Sequence, residues 1–164
     1  MSSIDGLTEQ GYKVCEYWEM NTQNIIDAIK RPGGTRENHL FEFKACLYEI
    51  KSKRDVIDEI SKTICAFLNT SGGVIIIGIG DKNKEILGVE RDLKIKRKGN
   101  EDPQRTFGTI ESQMLNRWQN NFRIGKKDDV YALKLARKYV SINMEEIINP
   151  ETKEFKKIII IKVR

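Results

Sequence analysis

Apolar and polar positions follow three different patterns in turn between residues 40 and 79. Leu40 to Lys44 reads LFEFK, so a predicted strand places the Phe side chains on one face and Glu42 and Lys44 together on the other. From Val56 to Leu68 the apolar residues recur every three or four positions, which predicts an amphipathic helix that ends at the glycines after Asn69. The continuous apolar run from Val74 to Ile79 predicts a strand buried on both faces.

The ends of this helix and strand carry the charged residues. Acidic residues suit the first turns of a helix because of its dipole, and those expected there are Asp55, Asp58 and Glu59. After the buried strand, Asp81 to Lys84 is typical of a hairpin turn, and Glu85 to Val89 is predicted to return as a strand. The charged, glycine-containing stretch from Asp92 to Pro103 is predicted to be a loop.

The last third of the chain predicts one long helix and two strands. Helical spacing of apolar residues runs from Pro103 to about Phe122 and indicates a core-facing stripe. Asp128 to Val140 fits either a strand or a helix, and its alanines and lysines favour the helix. Tyr139 to Ile148 and Lys156 to Val163 are predicted strands, joined by a turn over residues 149–152.

The first third predicts two helices and a break. One helix spans Thr8 to Met20, and a shorter one begins at Thr22 as its cap and buries the Ile residues at 25, 26 and 29. Arg31-Pro32-Gly33-Gly34-Thr35 ends the second helix. We therefore divide the chain into an N-terminal helical extension, residues 1–34, and a main domain, residues 35–164.

Together these elements predict an α+β fold with a mixed β-sheet and two or three helices packed against it. The strands of that sheet are predicted around Leu40, Val74, Ile86, Val140 and Ile158. A length of 164 residues is that of one main domain with a sizeable core.

Net charge and cysteine usage narrow the range of functions that the chain could have. The net charge is +5 and the pI is about 9.0, which favours a polyanionic partner. The nucleic-acid-binding candidates are Lys82, Lys84, Arg91, Lys94, Lys96, Arg97 and Lys98. Three widely spaced cysteines without a CxxC pair, and a single histidine, argue against a zinc site and favour the cytoplasm. No apolar run approaches membrane-spanning length, and no signal peptide is visible.

Three motifs, ExxxxEFK from Glu37, AFxNTxGGxxxxGIxD ending at Asp81, and IxGV from Ile86, resemble the core domain of the Schlafen family, whose prokaryotic relatives are described as AlbA-type DNA-binding domains. The resemblance covers about residues 36–92. It implies a metal-dependent endoribonuclease that cleaves structured RNA such as tRNA or rRNA, with Glu37, Glu42 and Asp81 as ligands of Mg²⁺ or Mn²⁺ and Lys44 as their catalytic partner. It also implies RNA rather than DNA as the substrate, and a homodimer that rebuilds a two-lobed groove.

Alternatives remain open from the residues themselves. Glu37 and Glu42 are five positions apart, so they share a face only if the chain turns between them. A nucleic-acid-binding module without catalysis, as the N-terminal part of a larger protein, is the main alternative, and a scaffold domain is a third. ATP hydrolysis is not expected because GxxxxGK[ST] is absent from the sequence.

Overall fold

The computed structural model describes residues 17–34, 40–121, 134 and 137–164. Among these residues the strands are β1 (Phe41–Lys44), β2 (Tyr48–Glu49), β3 (Arg54–Asp55), β4 (Gly73–Ile77), β5 (Val140–Ile148) and β6 (Phe155–Val163). The helices are α1 (Thr22–Lys30), α2 (Ile57–Leu68), α3 (Glu90–Lys96) and α4 (Pro103–Asn121). No helix in these ranges has the length and apolar character needed to cross a membrane.

A four-stranded mixed sheet forms the centre of the molecule, in the order β1-β4-β6-β5. β1 and β4 are parallel, with α2 as the crossover between them, whereas β4–β6 and β5–β6 are antiparallel. β2 and β3 form a separate antiparallel ribbon between β1 and α2. The predicted α+β class with a mixed sheet and packed helices is confirmed.

Each face of the sheet builds its own core. Helices α2, α3 and α4 cover the face that carries Ile75, Ile77, Ile159 and Ile161. Helix α1 covers the opposite face, which carries Phe41, Phe43, Ile76 and Ile160. All five residues of β4 are buried, as its apolar sequence predicted, because helices pack on both sides of this central strand.

Helices α1, α2 and α4 confirm the helical periodicity of the sequence, with two corrections at their starts. The cap of α1 is Asn21, whose side chain accepts a 2.9 Å hydrogen bond from the Asn24 N–H, so the prediction that Thr22 is the cap was wrong. Asp55 lies in β3 rather than in the first turn of α2. The sequence pattern did not reveal this ribbon, because each of its strands has two residues.

The segment after β4 differs most from expectation. The predicted strand from Glu85 to Val89 is reduced to a single bridge between Ile79 and Ile86. Gly78 and Gly88 both have positive φ angles, 106° and 75°, and bend the backbone out of a regular ladder. Ile86 therefore does not contribute a strand to the sheet.

The stretch predicted as a loop from Asp92 to Pro103 begins instead within α3. This helix has acidic residues in its first turn and Lys94 and Lys96 in its last, an arrangement that the helix dipole favours. Leu93 is buried in the first core, the one on the face of the sheet that α2, α3 and α4 cover. Two other expectations lie largely outside the described residues, the helix from Thr8 to Met20 and the helix from Asp128 to Val140; residues 17–19 and 137–139 are helical.

Candidate metal and nucleic-acid site

Glu42 and Lys44 form an ion pair at the carboxyl end of β1. The Lys44 Nζ lies 2.8 Å from the Glu42 Oε1, and the two side chains are 24% and 28% exposed. They share a face because they are two positions apart on a strand, as the alternation predicted. The pair is thus partly desolvated, which makes its attraction stronger than that of a fully exposed pair.

A second carboxylate, from Glu59, lies near the same ammonium. The Glu59 Oε2 is 3.7 Å from the Lys44 Nζ, and its Oε1 accepts a 2.6 Å hydrogen bond from the Arg54 guanidinium. Glu59 lies in the first turn of α2, which follows β1 and the ribbon in the chain. The sequence predicted Glu59 at the start of a helix, but its contact with Lys44 was not predicted.

A charged cavity of about 310 Å³ opens beside this network. Its lining residues are Lys53, Arg54, Asp55, Asp58, Glu59 and Arg117. The Arg117 guanidinium of α4 binds both oxygens of Asp55 at 2.7 and 2.8 Å, and this bond holds the pKa of Asp55 below its ordinary value. Arg117 lies 62 residues from Asp55, so no local sequence pattern indicates this contact.

Asp81 lies in an exposed turn that leaves the sheet at Lys44. The Lys44 carbonyl accepts hydrogen bonds from the Gly78 and Ile79 N–H groups, at 2.7 and 3.2 Å, so the ends of β1 and β4 are held together. Residues 81–83 form the predicted turn. The segment that carries Asp81 therefore starts at the carboxyl end of β1, where Lys44 lies.

The structure does not by itself complete the predicted metal site. Glu37, the third predicted ligand, lies outside the described residues. Within the described ranges, no three His, Cys, Asp or Glu side chains are grouped so that they could hold a metal ion. The structure brings Glu42 and Lys44 together, and the convergence of Glu37 and Asp81 on them stays a prediction.

A comparison with known families accounts for the motif pattern. The family described as Schlafen, AlbA_2 matches residues 37–164, from the first predicted carboxylate to the end of the chain. This chain belongs to the Schlafen/AlbA_2 family. The family is associated with nucleic acid, which agrees with the basic character of the chain.

Among the basic candidates of this Schlafen/AlbA_2 domain, Lys84 has a structural contact. Its Nζ donates hydrogen bonds to the carbonyls of Gly34 and Ile29, at 2.9 and 3.3 Å, and its own carbonyl accepts from the Lys30 Nζ at 2.9 Å. Lys84 therefore ties the turn after β4 to the carboxyl end of α1. Lys82, in the same turn, is exposed.

Helix α3 and the residues after it present the other basic candidates. Lys94, Arg97 and Lys98 are exposed. Arg91 donates a 3.3 Å hydrogen bond to the Tyr48 carbonyl, and the Lys96 Nζ lies 5.0 Å from the centre of the Tyr48 ring. Two of these five cations thus contact the ribbon, and the other three extend towards solvent.

A buried carboxylate anchors α3 to the ribbon. Asp92 is 1% exposed, and its Oδ1 accepts a 3.2 Å hydrogen bond from the Tyr48 N–H. Burial raises the pKa of Asp92 above its ordinary value, and the backbone hydrogen bonds to it partly offset that effect. Through this bond Asp92 holds α3, and the exposed cations that α3 carries, against the ribbon.

Proposed function

We propose that this Schlafen/AlbA_2 domain is a metal-dependent endoribonuclease that acts on structured RNA such as tRNA or rRNA. The observation that carries the proposal is the half-buried Glu42–Lys44 pair, with the Asp81 segment leaving the sheet at Lys44. A carboxylate and an ammonium side by side suit metal-dependent phosphodiester cleavage, because one can bind a metal ion and the other a phosphate oxygen.

The donor chemistry of the residues fits a hard divalent cation. Glu42 and Asp81, together with Glu37, offer only carboxylate oxygens, the ligands that Mg²⁺ and Mn²⁺ prefer. When bound, the ion would act as a Lewis acid on the scissile phosphate. The contribution of Lys44 follows from its contacts: its ammonium lies 2.8 Å from Glu42 and 3.7 Å from Glu59, and it would donate to a phosphate oxygen bound beside these carboxylates.

RNA recognition would rest on the exposed cations near this site. Lys82 follows Asp81 directly, and Lys94, Arg97 and Lys98 are exposed on and after α3. Helical RNA is recognised mainly by its shape and by contacts to phosphates and 2′-hydroxyls, which exposed lysines and arginines provide. These cations would bind the phosphates of RNA and DNA alike, so the proposed preference for RNA rests on the family resemblance.

A second candidate function is nucleic-acid binding without cleavage. It is favoured by one observation, namely that Lys94, Arg97 and Lys98 are exposed on and after α3, where they can bind phosphates without a metal ion. In that case Glu42 and Lys44 would stabilise the edge of the sheet, and the exposed cations would account for the function.

Cleavage of end-labelled tRNA separates the two functions. With Mn²⁺ we expect cleavage that EDTA abolishes, and we expect Asp81→Ala and Glu42→Gln each to reduce the rate roughly a hundredfold or more. Glu154→Gln is the matched control, because Glu154 is an exposed carboxylate outside the site. RNA that stays intact but still shifts on a gel would refute the nuclease and leave the binding function.

A further inference from the structure

Strand β5 forms one edge of the sheet. One side of its backbone pairs with β6, and no strand in the described part of the chain pairs with the other side. Asn149 N–H donates to the Glu154 carbonyl and Arg164 N–H to the Tyr139 carbonyl, so odd-numbered residues of this hairpin direct their backbone groups towards β6. The even-numbered residues of β5 therefore direct their N–H and C=O groups away from the sheet.

One end of this outer edge is already closed by a side chain. The amide of Gln23, from α1, donates a 2.9 Å hydrogen bond to the Ile148 carbonyl and accepts a 2.8 Å bond from the Ile148 N–H. Gln23 thus pairs with Ile148 as a neighbouring strand would. At Ile148 the edge therefore offers both a donor and an acceptor, as the alternation of the ladder implies for the other even positions.

The rest of the edge is open in the described part of the chain. The outward backbone groups of Val140, Ile142, Met144 and Glu146 have no hydrogen-bond partner among the described residues. The nine residues pair with β6 without a bulge, and the strand contains no proline or lysine. Proteins commonly protect edge strands with such features or with other charged side chains. On β5 the charges are Glu145 and Glu146, and the regular, uncharged stretch from Val140 to Met144 is suited to pairing with another strand.

We propose that β5 pairs antiparallel with β5 of a second copy of this chain, about a twofold axis at Asn143. This register pairs all four open positions, since residues equally distant from Asn143 lie opposite each other. Ile142 then faces Met144 of the partner subunit, and the two sheets become one continuous sheet. Both side chains already pack partly against the first core, so their pairing extends that core across the axis.

Charge and the Gln23 contact favour this register over its neighbours. With the axis at Asn143, Glu145 faces Ser141 of the partner subunit and Glu146 faces Val140 of the partner subunit, so no like charges are opposed. An axis at residue 144 would need the backbone groups of Ile148, which Gln23 occupies. An axis at residue 145 would place Glu145 opposite itself, which is unfavourable. Of the three registers compared, the axis at Asn143 is therefore the one that pairs the open positions without opposing like charges.

The test uses charge exchange at the axis. We expect the purified chain to be dimeric by light scattering at micromolar concentration, and Asn143→Lys and Asn143→Asp each to weaken the dimer at least about tenfold by opposing like charges. Mixing the two variants should restore the dimer, because a Lys then faces an Asp. Asn143 is exposed, so circular dichroism is expected to show an unchanged fold.

Asn116→Lys is the matched control, because Asn116 is exposed on α4 and adds the same charge away from β5. It should leave the dimer intact. A wild-type monomer over the whole concentration range would overturn the proposal, and so would an Asn143→Lys variant that dimerises as strongly as wild type. Neither result depends on whether the chain cleaves RNA, so this inference stands or fails separately from the proposed function.

Discussion

Asp55 and Asp58 contact the same guanidinium with different geometry. Arg117 binds Asp55 through two short hydrogen bonds, whereas its distance to Asp58 is 3.5 Å. Asp55 is 20% exposed and Asp58 is 68% exposed, so water screens the second contact more strongly. Arg117 therefore makes one bidentate, partly buried contact, with Asp55, and one exposed contact, with Asp58.

We expect Asp55→Asn to lower the free energy of unfolding by about 1 kcal/mol at neutral pH, a modest value because Arg117 is 38% exposed. The pKa of Asp55 is lowered in the folded state, so its contribution is present above the ordinary Asp pKa and is lost as the pH falls through that value towards the lowered pKa. Urea titrations at neutral and acidic pH measure this, and the wild type and variant should converge in acid.

Asp58→Asn serves as the control and should change the free energy of unfolding by much less. An equal loss in both variants at neutral pH, or a difference that persists in acid, would contradict the assignment of the effect to the Asp55–Arg117 bond.

Residue roles could be predicted from sequence only where neighbours in the chain decide them. The alternation of β1 was enough to place Glu42 beside Lys44, because two positions on a strand share a face. The partners of Lys84 are 50 and 55 residues away, so nothing near Lys84 distinguishes it from a cation that binds nucleic acid. The contacts of Glu59 with Lys44 and of Arg117 with Asp55 also join residues that are distant in the chain, so no local pattern indicates them.

At the scale of elements, one buried hydrogen bond joins α2 to α4. The Trp118 indole N–H donates to the Ser61 Oγ at 2.8 Å, and the Ser61 hydroxyl donates to the Ile57 carbonyl at 2.6 Å. Both residues are buried in the first core. This bond fixes the position of α4, which carries Arg117 to the charged cavity.

We expect Ser61→Ala to destabilise the fold by about 1 to 3 kcal/mol, because the buried indole N–H loses this acceptor. Urea unfolding followed by tryptophan fluorescence measures the loss. Ser112→Ala is the control, since the Ser112 hydroxyl makes a comparable bond to Gly108 but is exposed on α4. Equal effects of the two substitutions would show that burial of the Trp118 bond is not what matters.

Element prediction succeeded where the sequence pattern is long or strongly apolar. α2, α4 and β4 were identified from periodicity and β-branched composition. α3 was missed because its stabilisation is distant: the buried Asp92 accepts from Tyr48, 44 residues earlier in the chain. The strand predicted around Ile86 failed because positive-φ glycines at 78 and 88 leave room for one bridge only.

At the scale of the whole molecule, the excess positive charge is unevenly distributed. Lys94, Arg97 and Lys98 are exposed around the end of α3, whereas Lys84 and Lys30 are engaged with backbone carbonyls. The net charge of +5 could be read from composition, but which cations reach solvent together depends on the position of α3, which the sequence did not predict. The distribution of exposed positive charge therefore depends on the fold and not on composition alone.

This distribution predicts how binding responds to salt. Replacing Lys94, Arg97 and Lys98 with Gln should make the dependence of the logarithm of RNA affinity on the logarithm of salt concentration shallower by about 2 to 3, since each lost phosphate contact lowers the slope by about 0.7 to 0.9. Fluorescence anisotropy with labelled tRNA over a salt series measures the slope. Because the helix itself is unchanged, protein stability should stay near that of the wild type.

A triple variant of Arg31, Lys62 and Lys153 to Gln removes the same charge from exposed positions outside α3 and the ribbon that it contacts. If the RNA contacts are confined to α3 and the residues just after it, this control keeps the wild-type slope of affinity against salt concentration. Lys84→Gln should also keep the slope and instead lower the stability, because it removes the hydrogen bonds to the end of α1. Equal changes of slope in both triple variants would mean that net charge alone governs binding, and α3 would lose its proposed role in contacting RNA.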